Sequence, residues 1–394
     1  MRLQEIFWGD RVLWVLMILL AFFSFLPVYS ASTNLSYVVG VGSPVGYLVK
    51  HFVIILFGFG ITFLVHRIPY NYFKGIAVIA FPIVVVLLLY TLLQGTTIDG
   101  ANASRWIKIP LIGVSFQTST LAFVHLLVYV AFYLHKNYDR QFTFQSSFIA
   151  LWLPVLAIVF LILPANFSTA AMLFFMVLML TFVGGYPFKY LLYIFGFGFV
   201  VFLLFILTAK AFPEAMPNRV DTWRSRIENF SSNQSGEENY QIELSKTAIA
   251  TGGLFGKGAG KSVMKNFLPQ SSSDFIYAII VEEYGVLGGI ALIVLYLIVL
   301  FRILVNAHKT EEIFGKLLII GMGIPIVFQA FVNMGVALQV LPVTGQTLPL
   351  VSSGGTSVWM TCLAFGILLS VTARGQHKSS NSSHNPIIEF SETL

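Results

Sequence analysis

Ten windows of about twenty apolar residues fill most of the 394-residue chain, and this excludes nearly every fold open to a soluble protein of that length. They fall near 12–30, 48–66, 74–93, 117–134, 147–163, 167–184, 188–209, 275–301, 316–340 and 353–373. A helix of about 20 residues crosses the hydrocarbon core of a bilayer. Backbone in lipid must satisfy its own hydrogen bonds, so such windows become helices. The expectation is an all-α polytopic membrane protein with about ten transmembrane helices. One large extracytoplasmic loop lies between spans 7 and 8. The chain is 57% hydrophobic and 10% charged, against roughly 25% charged in soluble domains.

The charges that remain set the orientation. Arg2 and Arg11, Arg67 and Lys74, Lys136 and Arg140, Lys189, Arg302 with Lys309 and Lys316, and Arg374 with Lys378 fall on one set of loops. The opposite short loops hold Lys50, Arg105 and Lys108. By the positive-inside rule both termini are cytoplasmic. The net charge of +6 is therefore a topology signal, and no nucleic-acid partner is expected. The ten-span domain covers 1–374, with 210–274 as its large outer loop, and the polar tail 375–394 reads as disordered and cytoplasmic. Cys362 is the one cysteine, so no intramolecular disulfide can form.

Three polar features then face outward: 99–110, 210–273 and 341–357. In the second, PNRVDTWRSRIENF reads as a short interfacial amphipathic helix. GGLFGKGAGKS, with Lys257 and Lys261, is either a flexible surface turn or a loop whose amides and lysines approach an anion. It does not have the spacing of a nucleotide P-loop. Asp274 sits at the join between this polar loop and the eighth span. It is either a helix cap or the chemical centre of a cavity. Glu282 and Glu283 lie deeper in the same span, about 12 Å deeper if the segment is one helix. Buried there, they need a cationic partner or a wet cavity. Ala278, Gly285 and Gly289 read as a small-residue packing face. Asn166 and Thr169 in PANFST mark a tight turn, with Asn166 either a cap or part of a site. Arg105 and Trp106 are an interfacial anchor or, with Lys108, a headgroup contact. The run TGQTLPLVSSGGTS breaks the apolar pattern and suits a cavity lining.

Two blocks carry a resemblance. GGLFGKGAGKSVMKNFLPQSSSDFIYAIIVEEYG and NMGVALQVLPVTGQTLPLVSSGGTS resemble, in order and in density, the signature blocks of the shape, elongation, division and sporulation (SEDS) family of membrane proteins. The likeness covers about residues 10–374, and the ASRWI, FQTS and PANFSTA strings look closer to its cell-division branch than to its elongation branch. The resemblance implies an inverting peptidoglycan glycosyltransferase that polymerises lipid II at the outer face of the bacterial cytoplasmic membrane, at the division septum. It implies Asp274 as the catalytic base. Arg105, Lys108, Lys257, Lys261, Glu283, Asn166, Thr169, Ser352, Gly354 and Gly355 are implied as substrate-binding. It further implies a single-span class B penicillin-binding protein as partner, with other divisome proteins and membrane lipid around it. No resident metal site is expected; a divalent cation can accompany the substrate pyrophosphate.

The chain departs from the family pattern in two places. Thr120 and Phe123 stand in QTSTLAF where the family usually has a glutamate and a lysine, and Asn166 stands where many members have an acid. A lipid II flippase, or an inactive scaffold that recruits the penicillin-binding protein, are the competing readings.

Overall fold

Helices replace the apolar windows almost one for one. The computed structural model describes residues 8–38, 43–95, 106–108, 115–138, 142–211 and 237–382. In chain order these are α1 (Arg11–Val38), α2 (Pro44–Val65), α3 (Tyr72–Ile79), α4 (Phe81–Gln94), β1 (Trp106–Lys108), β2 (Ser115–Gln117), α5 (Thr118–Lys136) and α6 (Phe144–Ile162). They continue as α7 (Phe167–Val183), α8 (Phe188–Ala211), α9 (Glu237–Gly252), α10 (Ile276–Lys309), α11 (Ile313–Ala337) and α12 (Gly355–Ser382). The molecule is a polytopic membrane protein. Seven of its described helices are long and apolar enough to span, and α3 with α4 make an eighth crossing bent by 43°. Pro82 in the first turn of α4 has no N–H to continue the ladder from α3, which accounts for the bend. One feature is not helical: β1 and β2 pair antiparallel, Trp106 opposite Gln117 and Lys108 opposite Ser115.

Two expectations meet the described chain differently. The segment 237–252 of the large loop is helical, and α12 continues past Arg374 to Ser382. The interfacial helix expected in PNRVDTWRSRIENF and the tail beyond 382 lie outside the described residues.

The core is built on α5, α11 and α12, the spans with the largest buried share. α11 packs against both of the others, α12 lies along α2, α1 bridges α2 and α10, and α9 rests on α10. At the end where α10 passes to α11, a polar lock ties three helices together. Asp10 caps α1 through Val12 N and Leu13 N at 2.8 and 3.2 Å. Its other oxygen accepts from Arg302 and from Asn306 at 2.7 Å, and its own N–H donates to Thr372 Oγ1 at 3.1 Å. Nearby, Glu312 accepts from Tyr70 and from Lys74. Burial alone would raise the Glu312 carboxyl. The Tyr70 and Lys74 donors outweigh it and hold the group below its usual range.

α10 is two helices joined at Gly285, which has φ +72° and ψ −177°. A Cβ on Gly285 would meet Leu254 and Gly256 of the preceding loop, whereas one on Gly289 would meet Val281 and Tyr277, so the two glycines admit different neighbours.

Candidate functional site

The break in α10 strands backbone groups on both sides, and the glycine-rich loop satisfies them. Lys257 N and Gly258 N donate to the carbonyls of Glu282 and Glu283, both at 2.9 Å. Val286 N and Leu287 N donate back to Gly253 O and Leu254 O at 2.9 and 3.4 Å. Contact this close requires glycine. A Cβ on Gly256 would fall 2.2 Å from Glu283 O, and one on Gly285 would fall 2.2 Å from Leu254 O. The loop is thus a splint across a broken helix, while several of its residues, Phe255 and Lys261 among them, stay exposed.

The two glutamates serve the same splint. Glu282 is fully buried and accepts from Lys257 Nζ at 2.7 Å, Val263 N at 3.1 Å, Met264 N at 3.2 Å and the Ser262 hydroxyl. Glu283 accepts from Ser30 on α1 and from Ser262 N. Lys265, itself buried, donates to Ser30 Oγ at 3.0 Å and Gly260 O at 2.8 Å. Lys257 and Glu283 are therefore engaged in the loop. With Lys261 they stand off the cavity described next. Removing one member of a buried pair costs about 3–5 kcal/mol because the other charge is left uncompensated. Lys257→Met should lose stability at the lower end of that range, since three donors to Glu282 remain. Adding Glu282→Gln should recover part of the loss. Thermal unfolding of the detergent-purified proteins reads both.

Asp274 belongs to a turn, residues 269–275, that precedes the helix. Phe275 takes the cap position of α10 with no side-chain cap bond, so Asp274 is not the cap. It lies instead on the wall of a cavity of ≈ 390 Å³ between α5, α11, α12 and the first turn of α7. Near Asp274 the wall is polar, with Gln117, Gln346, Thr347, Ser353 and Ser357. Away from it the cavity reaches Leu127, Met322 and Ala364, and the wall turns apolar. Ala364 is seven residues beyond Ser357 on α12, about 10 Å down the helix. Among the described lining residues Asp274 is the only ionisable one.

Two direct bonds and an asparagine bridge hold the Asp274 turn to the segment before α12. Ser352 Oγ donates to Ser273 O at 2.6 Å, and Ser353 N donates to Ser272 O at 2.8 Å. Asn333 Nδ2, from the last turns of α11, donates to both Asp274 O and Gln346 O at 2.7 Å. Gly345, with φ +67°, faces the carboxylate; a Cβ there would be 3.6 Å from Asp274 Oδ2. The two turns also contain non-glycine residues with positive φ, Gln270 at 54° and Leu350 at 62°. Such strain costs roughly 1–3 kcal/mol per residue and gathers at functional sites.

Of the residues picked out from sequence, Asn166, Thr169 and Gly354 line this cavity together with Asp274. Asn166 is also the cap of α7, its Oδ1 accepting from Thr169 N at 3.2 Å. Thr169 Oγ1 accepts from Gln346 Nε2 at 3.0 Å. Ser352 and Gly355 are off the lining; Ser352 is buried as a brace, and Gly355 faces Ile54. Lys108 is in β1, whose neighbour Trp106 lines the cavity. Arg105 lies outside the described residues. Thr120 and Phe123, the two departures, are both in the cavity wall. Sequence reasoning passed over Asn333 and Gln346, whose only signal was their presence inside the second motif block.

Asn333 holds the Asp274 turn without lining the cavity, which makes it a positioning residue. Asn333→Ala should leave the protein folded and in the membrane but lower turnover more than it alters apparent substrate affinity, read as a kcat-against-KM split. Asn333→Asp, which offers no amide donor to the two carbonyls, should not rescue it.

The fold and site define a polytopic membrane protein with a cavity whose described wall carries a single carboxylate. The chain belongs to the FtsW/RodA/SpoVE cell cycle protein family, whose model matches residues 10–377. It is 31% identical to the probable peptidoglycan glycosyltransferase FtsW of Geobacter metallireducens over 95% of this chain and 97% of that one. Among solved structures it matches a chain from a peptidoglycan synthase complex that coordinates polymerization and crosslinking. The TM-score there is 0.72, with 27% identity, covering 93% of this chain and 98% of that one. It also matches the rod shape determining protein RodA of Thermus thermophilus, with TM-score 0.66, 25% identity, and 92% and 96% coverage.

Proposed function

We propose that this protein is a peptidoglycan glycosyltransferase that polymerises lipid II into glycan strands at the outer face of the bacterial cytoplasmic membrane during cell division. The observation that carries the reading is Asp274, alone as an ionisable group on the described wall of a cavity that changes from polar to apolar along its length. A lipid-linked sugar has that same division. The family relationship and the similarity to probable FtsW glycosyltransferases support the reaction class.

In this reading Asp274 takes the proton from the 4-hydroxyl of the acceptor sugar. The oxygen attacks the donor's anomeric carbon, the bond to the lipid pyrophosphate breaks, and a β-1,4 linkage forms with inversion. A general base contributes typically about 10²–10⁴-fold. A single carboxylate suits this transfer better than the two-acid arrangement of most glycoside hydrolases. Arg105 and Lys108 remain candidates for holding the donor pyrophosphate. Lys257 and Glu283 act at one remove, by fixing the loop that precedes the Asp274 turn, and the exposed Lys261 stays a further candidate for the pyrophosphate. A divalent cation travelling with the pyrophosphate would meet one carboxylate, Asp274, on the described cavity wall.

In the same reading α7 (Phe167–Val183) and α8 also cross the membrane, for ten spans, with both termini cytoplasmic and the Asp274 end outward; the apolar character of α7 and of 188–200 in α8 supports the count. A class B penicillin-binding protein as partner and location at the septum follow from the same family reading. The experiment that separates synthase from flippase is reconstitution into liposomes with labelled lipid II. Glycan polymer supports the synthase. Transfer of label between leaflets without polymer contradicts it.

A further inference from the structure

α10 has 34 residues, about 51 Å at 1.5 Å per residue, against a hydrocarbon core about 30 Å thick. Tilt alone would need more than about 50°, beyond the range of roughly 0–40° that spanning helices adopt. Exposure shows which part lies in lipid. Every residue from Ile276 to Glu283 is buried, whereas Val286, Leu287, Ile290, Val294, Phe301 and Leu304 are exposed. The exposed apolar face therefore runs about 27 Å, from Val286 to Leu304. A second helix measures the same interval. Asp10, at the start of α1, accepts from Arg302 and Asn306 of α10, and Ser30, further along α1, donates to Glu283. From Asp10 to Ser30 is about 30 Å of helix. The polar lock and the splint thus mark the two edges of the hydrocarbon.

The splint meets its edge with bare apolar side chains. At its tip Leu254 is 55% exposed and Phe255 76%. Val286 N donates to Gly253 O at 2.9 Å and Leu287 N to Leu254 O at 3.4 Å. Those bonds set the tip level with Val286 and Leu287, the first exposed side chains of α10. The register is firm, because the backbones at Gly256 and Gly285 meet too closely for a Cβ on either. Phe267, 56% exposed in the same loop, sits at a different height. Its neighbour Leu268 packs with Phe275 and Ile279, about 9–15 Å along α10 from Gly285 on the side away from the lipid face.

We propose that Leu254 and Phe255 insert into the bilayer leaflet at the Asp274 end of the bundle, at the edge of its hydrocarbon, and anchor the glycine-rich loop there. The occupant of this apolar tip is bilayer lipid, because the tip continues the lipid face of α10 at the level where that face begins. Burying such side chains against acyl chains is the gain that holds interfacial segments on membranes. The anchor stands whether or not the chain is a glycosyltransferase. It also fixes a height for the cavity. Residues 276–284 and the Asp274 turn then project from the hydrocarbon, Ile276 by up to about 14 Å. The headgroup layer is roughly 5–8 Å thick on each side, so Asp274 meets groups carried beyond the headgroups.

The test is spin-label accessibility on the full chain in nanodiscs of phosphatidylethanolamine and phosphatidylglycerol. Phe255→Cys, Leu254→Cys, Val294→Cys and Phe267→Cys, each in a Cys362→Ala background, carry the label. Oxygen concentrates in lipid, and a nickel chelate stays in water. Val294, midway along the lipid face, and Phe267 set the two limits. The ratio of oxygen to nickel accessibility at the Phe255 and Leu254 positions should match that at Val294 and exceed that at Phe267. A ratio equal to that at Phe267 would leave the tip in water and overturn the anchor. Low accessibility to both reagents would mean that protein covers the tip, from this chain or a second copy, and would overturn it equally. All four side chains are exposed, so the labelled proteins should unfold within a few degrees of the unlabelled Cys362→Ala protein. Should a label at Phe255 unfold the chain, Leu254 decides. No lipid II enters the measurement, so its result is independent of the enzyme reading.

Discussion

Asp274→Asn should reduce the initial rate of lipid II polymerisation by at least about 10²-fold, the lower bound for removing a general base. The asparagine is isosteric and the turn is held through its main chain. Asn333 bonds the Asp274 carbonyl, and Ser352 and Ser353 bond the two carbonyls before it. None of these contacts needs the carboxylate. The variant should therefore reach the membrane and unfold within a few degrees of wild type. Substrate binding should change less than turnover, because the rest of the polar wall is intact. Comparing rate, membrane level and thermal stability on one preparation decides the matter. A rate loss that merely tracks a loss of folded protein would remove Asp274 from the chemistry.

The second large effect is on stability and lies away from the cavity. Gly256→Ala should destabilise by about 4 kcal/mol or more, in the range confined to a few severe mechanisms. Two of those act together. Its φ of +78° is left-handed, which costs an L-residue roughly 1–2 kcal/mol. Its Cβ would also meet Glu283 O at 2.2 Å and Gly285 N at 2.5 Å, both backbone atoms that cannot step aside. Relief requires the loop to lift from α10, with loss of the bonds from Lys257 N and Gly258 N. Gly253 is the built-in control. It has φ +57° with open space where the Cβ would go, so Gly253→Ala should show only the conformational cost. Thermal unfolding in detergent reads both, and equal losses would contradict the splint.

The bundle was legible because a bilayer leaves little choice. Apolar length and loop charge are local signals, and the described helices occupy the windows they mark, with Asn166 recognisable as a cap. Breaks were not legible. Gly285 sits in an apolar run whose periodicity continues on both sides, and nothing local shows that a loop thirty residues earlier bonds to the gap. The same distance hid the purpose of Glu282 and Glu283. From sequence they are intramembrane acids needing a partner, which is correct, but the partners are a loop lysine and the amides of 262–264. Asp274 could be singled out by its place at a polar-to-apolar join, while its distinction from an ordinary cap depended on Phe275 taking that position. The departures at Thr120 and Phe123 were visible as letters. Their place in the cavity wall was not.

That wall frames the most direct test of the account. Purified protein, alone and with a class B penicillin-binding protein from the same source, would be given lipid II and the products resolved as glycan chains on a gel. The account predicts polymer from the wild-type chain, despite Thr120 and Phe123, that is lost in Asp274→Asn. Folded wild-type protein that makes no polymer under any pairing would contradict it.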